Sequence, residues 1–242
     1  MNVSRKMVIN NFQKPQPTQN SLVEGKPSIL VVDDHPTILT GTINVIYSEF
    51  SKADIFKAQT AQETLSKIQS RQFDLVVMDL SIPDCTGESA KIELGIQLLE
   101  NLLKEYTHQN FLIQTSYVKA LIRIKHEIDN HQGGFAIADK ALPENEMLMR
   151  FNLALIGATH TKDIKTGIEL KSEWLDVLRL AFEESLTDKA IAQRMYKSER
   201  SVRIYWTKIQ DVLGIYPEDC KESGKNMRIH TEVRAREEGL ID

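Results

Sequence analysis

The chain has 242 residues, 41% hydrophobic and 26% charged, with 30 Lys and Arg against 34 Asp and Glu for a formal net charge of −4. These ordinary globular values allow a buried core and exclude both a uniformly basic nucleic-acid coat and an acidic disordered chain. No apolar run approaches the roughly 18 residues of a membrane span, and two cysteines, Cys85 and Cys220, exclude a disulfide framework or a zinc ribbon.

Residues 1–27 contain NFQKPQPTQNSLVEGKP, rich in Pro, Gln, Asn and Ser, and read as a mobile tail. They lack the apolar centre of a signal peptide, so a cytoplasmic protein is expected. Order is expected from Ser28, where SILVV has the length and β-branched content of a strand buried on both faces. Helical spacing follows over 36–50, a short strand over 55–58 and a helix over 61–70. FDLVVMD at 73–79 is a second buried strand. The pattern continues as helix 92–106, strand 111–116, helix 118–130, strand 134–138 and helix 142–156. Five strands alternating with helices predict a parallel sheet covered on both faces, with right-handed crossovers. After Gly157 the strand signals stop. Residues 157–170 read as a polar linker, and 171–242 as helical throughout.

In such a sheet ligands bind beyond the carboxyl ends of the strands. Asp33 and Asp34 end the first strand, Asp79 the third, Thr115 and Ser116 the fourth, and Asp139 and Lys140 the fifth. Each rim acid, taken singly, can be a solvated helix cap. Three carboxylates converging on one rim repel one another unless a cation intervenes, and hard oxygen ligands suit Mg²⁺. A carboxylate nucleophile, a metal, a hydroxyl and an ammonium together form a phosphoryl-transfer site.

ILVVDDH at 29–35, DLVVMDLSIP at 74–83, QTS at 114–116 and the Lys140 region resemble the receiver domain of two-component response regulators. The resemblance covers residues 28–156 and implies a (βα)5 flavodoxin-like, doubly wound α/β domain. It implies Asp79 as phosphoacceptor, and Mg²⁺ held by Asp33, Asp34, Asp79 and the Ser81 backbone carbonyl. Thr115 is then the switch hydroxyl, with Ser116 the alternative, and Lys140 pairs with the phosphoryl group. Phe135 becomes the counterpart of the family's aromatic switch residue. The loop DCTGESAKIEL at 84–94 is longer than usual and borders the site.

In the helical region, TDKAIAQRMYKSERSVRIYWTKIQDVLGI at 187–215 places Ala190, Ile191, Met195, Val202, Ile209 and Leu213 at helical spacing. Tyr196-Lys197-Ser198 breaks the pattern, and Ser198 with Glu199 starts the next helix as a cap and acidic first turn. Two short helices around a tight turn can seat the second in a major groove, where Arg200, Arg203, Tyr205, Thr207 and Lys208 offer donors. Residues 189–236 hold eleven Lys or Arg against six acids, net +5, on an acidic chain. A helical bundle with a solvated charged face for protein contacts is the alternative.

Residues 170–215 resemble the helix-turn-helix output domain of NarL/FixJ (LuxR-type) regulators, with Ser185 where Gly is usual. The resemblance implies Arg203, Ile204 and Thr207 facing the groove, with Lys197 and Arg200 near phosphates; Lys208, a donor on the same helix, is expected to join these DNA contacts. Trp206 reads as core. Residues 216–242 read as an extension with an added helix, whose Lys225, Arg228, Arg234 and Arg236 either supplement DNA contacts or form a solvated face. The expected function is a phosphorylation-switched, non-enzymatic transcription regulator. Its partners are a histidine kinase or phosphotransfer protein, DNA and a second copy in a homodimer, with no membrane association. The rival is a signalling adaptor whose helical domain binds protein. None of the six histidines has two-His metal spacing, although His35 adjoins the acid pair.

Overall fold

The computed structural model describes residues 26–161, 171–222, 224 and 226–242. The expected tail over 1–27 and linker over 157–170 fall largely outside these residues, as does Lys225. The element order is β1 (Ser28–Val32), α1 (Pro36–Glu49), β2 (Asp54–Ala58), α2 (Ala61–Ser70), β3 (Leu75–Met78), α3 (Ile92–Glu105) and β4 (Phe111–Thr115). A 3-10 helix (Val118–Ile124), α4 (Lys125–Asn130), β5 (Phe135–Asp139), α5 (Glu144–Leu155) and β6 (Thr159–His160) complete the first unit. Among the described residues five helices follow: α6 (Ser172–Phe182), α7 (Asp188–Arg194), α8 (Glu199–Leu213), α9 (Pro217–Glu222) and α10 (Met227–Glu237).

The sheet runs β2-β1-β3-β4-β5-β6 and its ladders are parallel. Its central strands are buried on both faces, which is why they read as unbroken apolar runs rather than alternating ones. The period of two sorts their side chains. Leu30, Val32, Val76, Met78, Phe111, Ile113, Phe135 and Ile137 face the layer of α2, α3, the 3-10 helix and α4. Ile29, Val31, Leu75, Val77, Leu112, Ala136 and Ala138 face α1 and α5.

Three expectations change. The single helix expected over 118–130 is a seven-residue 3-10 segment followed by a six-residue α-helix; Ala120, Leu121, Ile124 and Ile128 are inward in either geometry. The strand signals do not stop at Gly157: Thr159 and His160 pair with Phe135 and Ala136 as a sixth strand. The first unit therefore reaches His160 rather than ending at 156. Phe135 starts β5, fully buried against His131, at the opposite end of the strand from Asp139. It is a core residue and cannot turn an aromatic ring at the rim.

In the second unit, Val177, Leu178, Ile191, Val202, Trp206 and Ile209 form a core under α6, α7 and α8. Thr187 Oγ1 caps α7 by accepting from the Ala190 N–H, and Ser198 Oγ caps α8 by accepting from the Ser201 N–H. Ser185 has φ 55°, the left-handed conformation that favours glycine.

Candidate functional site

The parallel register brings the ends of β1, β3, β4 and β5 to one rim. Asp33 follows β1 and Asp79 follows β3, each only 3% exposed. Lys140, just beyond β5, spans them: its Nζ donates to Asp33 Oδ2 at 2.7 Å and to Asp79 Oδ2 at 2.8 Å. The other Asp79 oxygen, Oδ1, accepts from the Leu80 N–H at 2.7 Å. Asp33 Oδ1 accepts from the His35 N–H at 2.8 Å, turning the chain into α1. Pro36 opens that helix, where its missing N–H leaves no intrahelical bond unmade.

Burial raises the pKa of Asp79, reinforced by the nearby Asp33 charge; the Lys140 ammonium and the Leu80 N–H oppose the rise without cancelling it. Burial alone would lower the pKa of Lys140, but its bonds to Asp33 and Asp79 outweigh that and raise it. The site thus holds a desolvated carboxylate of strengthened basicity beside a fixed ammonium.

Asp34 stands at the mouth. Its Oδ1 is shielded from solvent and accepts no hydrogen bond of good geometry, with the exposed His35 ring nitrogen 2.7 Å away. A shielded carboxylate oxygen beside Asp33 that accepts no hydrogen bond suits a hard cation. The ligand atoms of Asp33, Asp34 and His35 lie within 4.8 Å of one another. Ser81 lies two residues past Asp79, at the start of the loop.

Thr115 is fully buried at the end of β4 and its Oγ1 accepts from the Tyr117 N–H at 3.1 Å, whereas Ser116 is exposed. Thr115 O also accepts from the Lys140 N–H at 3.3 Å, tying the fourth strand to the fifth. The long loop is anchored rather than loose. Ile82 and Lys91 form an antiparallel bridge, and Pro83 O and Asp84 O accept from the first N–H groups of α2.

The helix-turn-helix candidates divide into two groups. Arg200, Arg203, Ile204, Thr207 and Lys208 are exposed on α8, and Tyr196 in the preceding turn is 96% exposed. Arg203 pairs within its own helix with Glu199 at 3.7 Å. Lys197 instead pairs with Glu173 of α6 at 2.8 Å, and the Tyr205 hydroxyl donates to the same carboxylate at 3.0 Å. Tyr205 is therefore a positioning residue of the fold rather than a free donor. Trp206 is core, as expected, and its Nε1 donates to Asp188 at 3.0 Å.

The extension does form a helix, α10, but its cations are engaged. Arg228 stacks over the Trp206 ring at 3.5 Å and pairs with Asp188 at 2.8 Å. Arg234 and Arg236 pair with acids of their own helix. They do not form a free phosphate-binding row, which sequence could not reveal because the paired acids lie one helical turn away or on other elements.

A model of the response regulator receiver domain matches residues 29–126. The chain is 24% identical over 198 residues to the DNA-binding transcriptional activator DevR/DosR of Mycobacterium tuberculosis, covering 77% of this chain and 88% of that one. It is 21% identical over 193 residues to the nitrate/nitrite response regulator protein NarL of Escherichia coli, covering 74% and 85%. In fold it is similar to RcsB from Salmonella enterica serovar Typhimurium bound to promoter rprA in the presence of the phosphomimetic beryllofluoride. That similarity has TM-score 0.58 and 16% identity, and covers 86% of this chain and 97% of that one. A structure of two RcsB dimers bound to two parallel DNAs is similar at TM-score 0.57, with 16% identity and coverage of 80% and 94%. Residues 29–126 are a response regulator receiver domain, and over most of its length the chain is similar to two-component response regulators of the NarL/FixJ type, in which a receiver is followed by a helix-turn-helix output domain.

Proposed function

We propose that the protein is a cytoplasmic transcription regulator switched by phosphorylation of Asp79, and that a histidine kinase or phosphotransfer protein supplies the phosphoryl group. The Lys140 ammonium bridging buried Asp33 and Asp79 carries this reading, because it aims a cation at the place where phosphoryl charge would arrive. An Asp79 oxygen forms the new bond to phosphorus as the bond from phosphorus to the donor's histidine nitrogen breaks. Leu80 and Lys140 hold the carboxylate oriented for that attack. Mg²⁺ held by Asp33, Asp34, Asp79 and the Ser81 carbonyl would offset the charge of the transferred group. Thr115, with Ser116 the alternative, is the hydroxyl that meets the product. In the output domain, Arg200, Arg203, Ile204, Thr207 and Lys208 would contact DNA, with Lys197 reaching phosphate once released from Glu173. A homodimer would read two half-sites.

Incubation with a labelled phosphodonor and Mg²⁺ tests the first step: label persisting on an Asp79→Ala variant would remove Asp79 from this role. Selection of sheared genomic DNA with and without beryllofluoride tests the second, with binding expected to fall steeply as salt rises. The half-exposed apolar pair Ile229 and Val233 on α10 favours a protein-binding adaptor as the second reading. Salt-insensitive protein capture with no DNA enrichment in either state would select it.

A further inference from the structure

The extension touches both functional ends of the molecule. At its start, Arg228 lies between Trp206 of α8 and Asp188 of α7, stacked on one and paired with the other. At its end it meets the receiver. Glu238 pairs with Lys119 of the 3-10 helix at 2.7 Å, and Asp242 lies 3.5 Å from Arg123, which also binds Glu93 of α3. Between these pairs the chain turns at Gly239, φ 68°, where an added Cβ would stand 3.1 Å from the Ala120 Cβ and 3.3 Å from Ile92. Leu240 and Ile241 bury themselves in the output core, and Ile122 of the 3-10 helix packs against that same core.

That 3-10 helix begins at Val118, one residue beyond Tyr117, whose N–H is held by Thr115 Oγ1 at 3.1 Å. Seven residues is long for this geometry, whose hydrogen bonds are poorer than those of an α-helix and which often marks a hinge. The α-helix at the other end of the connection is continuous over eleven residues, about 16 Å. The exposed row on α8 takes no part in these receiver contacts.

We infer that α10 and residues 238–242 are a mechanical relay, coupling the segment after Thr115 to α8 through Lys119–Glu238 at one end and Arg228–Trp206 at the other. The relay acts by moving a recognition helix that is already uncovered, not by unmasking it. It rests on the reading of Thr115 as the hydroxyl that answers phosphorylation of Asp79.

Hydrogen exchange on the full chain, with and without beryllofluoride and Mg²⁺, tests it. The wild type should respond at 118–124, at 227–242 and at 199–213. Lys119→Glu sets two carboxylates against each other. Its response at 118–124 should persist while those at 227–242 and 199–213 shrink about fivefold, the factor expected from losing one such contact. Adding Glu238→Lys should restore them, less completely because Arg234 also faces that position. Arg228→Ala should keep the response at 227–242 and lose that at 199–213. An undiminished response at 199–213 in Lys119→Glu, or a wild-type response confined to 111–124, would overturn the relay alone. No wild-type response within 111–124 would overturn the phosphorylation reading and the relay together.

Discussion

Gly95 lies on the inner face of α3, directly over the backbone of Leu80, the residue after Asp79. A Cβ placed there would stand 1.9 Å from Leu80 O, 2.6 Å from its carbonyl carbon and 2.7 Å from its Cα. Real contacts stop near 3.0 Å, so Gly95→Ala requires about 1.1 Å of separation that a rotamer change cannot provide. Leu80 cannot easily yield: its carbonyl accepts from the Ile82 N–H and its own N–H holds Asp79 Oδ1. Intrinsic propensity favours alanine within a helix by about 1 kcal/mol. Backbone overpacking costs up to about 3 kcal/mol, and with no side chain able to repack the upper end applies. The net expectation is a loss of about 2 kcal/mol, obtained by subtracting the propensity gain from the overpacking penalty. Urea unfolding should show a lower midpoint at unchanged slope, and the initial rate of phosphate incorporation should fall because Asp79 Oδ1 loses its fixed donor. A midpoint equal to or above the wild type would refute the close approach of α3 to Leu80.

Lys140→Ala leaves two buried carboxylates facing each other without a cation. It should destabilise by about 2 kcal/mol, below the usual figure for breaking a buried pair because Lys140 is partly solvated; added Mg²⁺ should recover part of the lost urea midpoint. Asp79→Asn should move thermal unfolding the other way. A raised carboxyl pKa means that ionised Asp79 burdens the fold at neutral pH, so a neutral amide there should leave the melting temperature equal or higher; a clear drop would contradict it. His131, packed between Phe111 and Phe135 with its Nε2–H donating to Gln109 O, has its pKa lowered chiefly by burial. The unfolded chain then binds the extra proton, so stability should be intact above the ordinary histidine value of about 6.5 and fall as pH drops below it. His131→Phe should flatten that slope in urea titrations at successive pH values, and an unchanged slope would exclude His131 as its source.

Most of the sheet is legible in the sequence because burial on both faces writes each central strand as an apolar run. The rim follows from it: Asp33, Asp79 and Lys140 meet because parallel strands end together, and no tertiary detail is needed to predict that. β6 leaves no such mark. Thr159 and His160 pair through backbone alone, and two polar residues carry no periodicity. Nor does helical spacing say which acid lies opposite which base. Glu173 claims Lys197 and Tyr205 from across the bundle, and Glu238 claims Lys119 over 119 positions. Phe135 misleads for a related reason, since an aromatic near the lysine suggests a rim residue until the register puts it at the strand's start.

The two margins of the sheet constrain how copies of the protein can meet. On one side β6 covers the backbone of Phe135 and Ala136, and the Arg150 Nη1 donates to the next outward carbonyl, Ile137 O, at 2.8 Å. On the other, β2 presents charged Asp54 and Lys57 to solvent, with Arg71 laid over Phe56. Blocked or charged margins discourage strand addition. Concentrated protein should therefore resist fibrous, edge-to-edge growth, and self-association is left to helical surfaces, where a changed side chain can open or close it without disturbing the ladder.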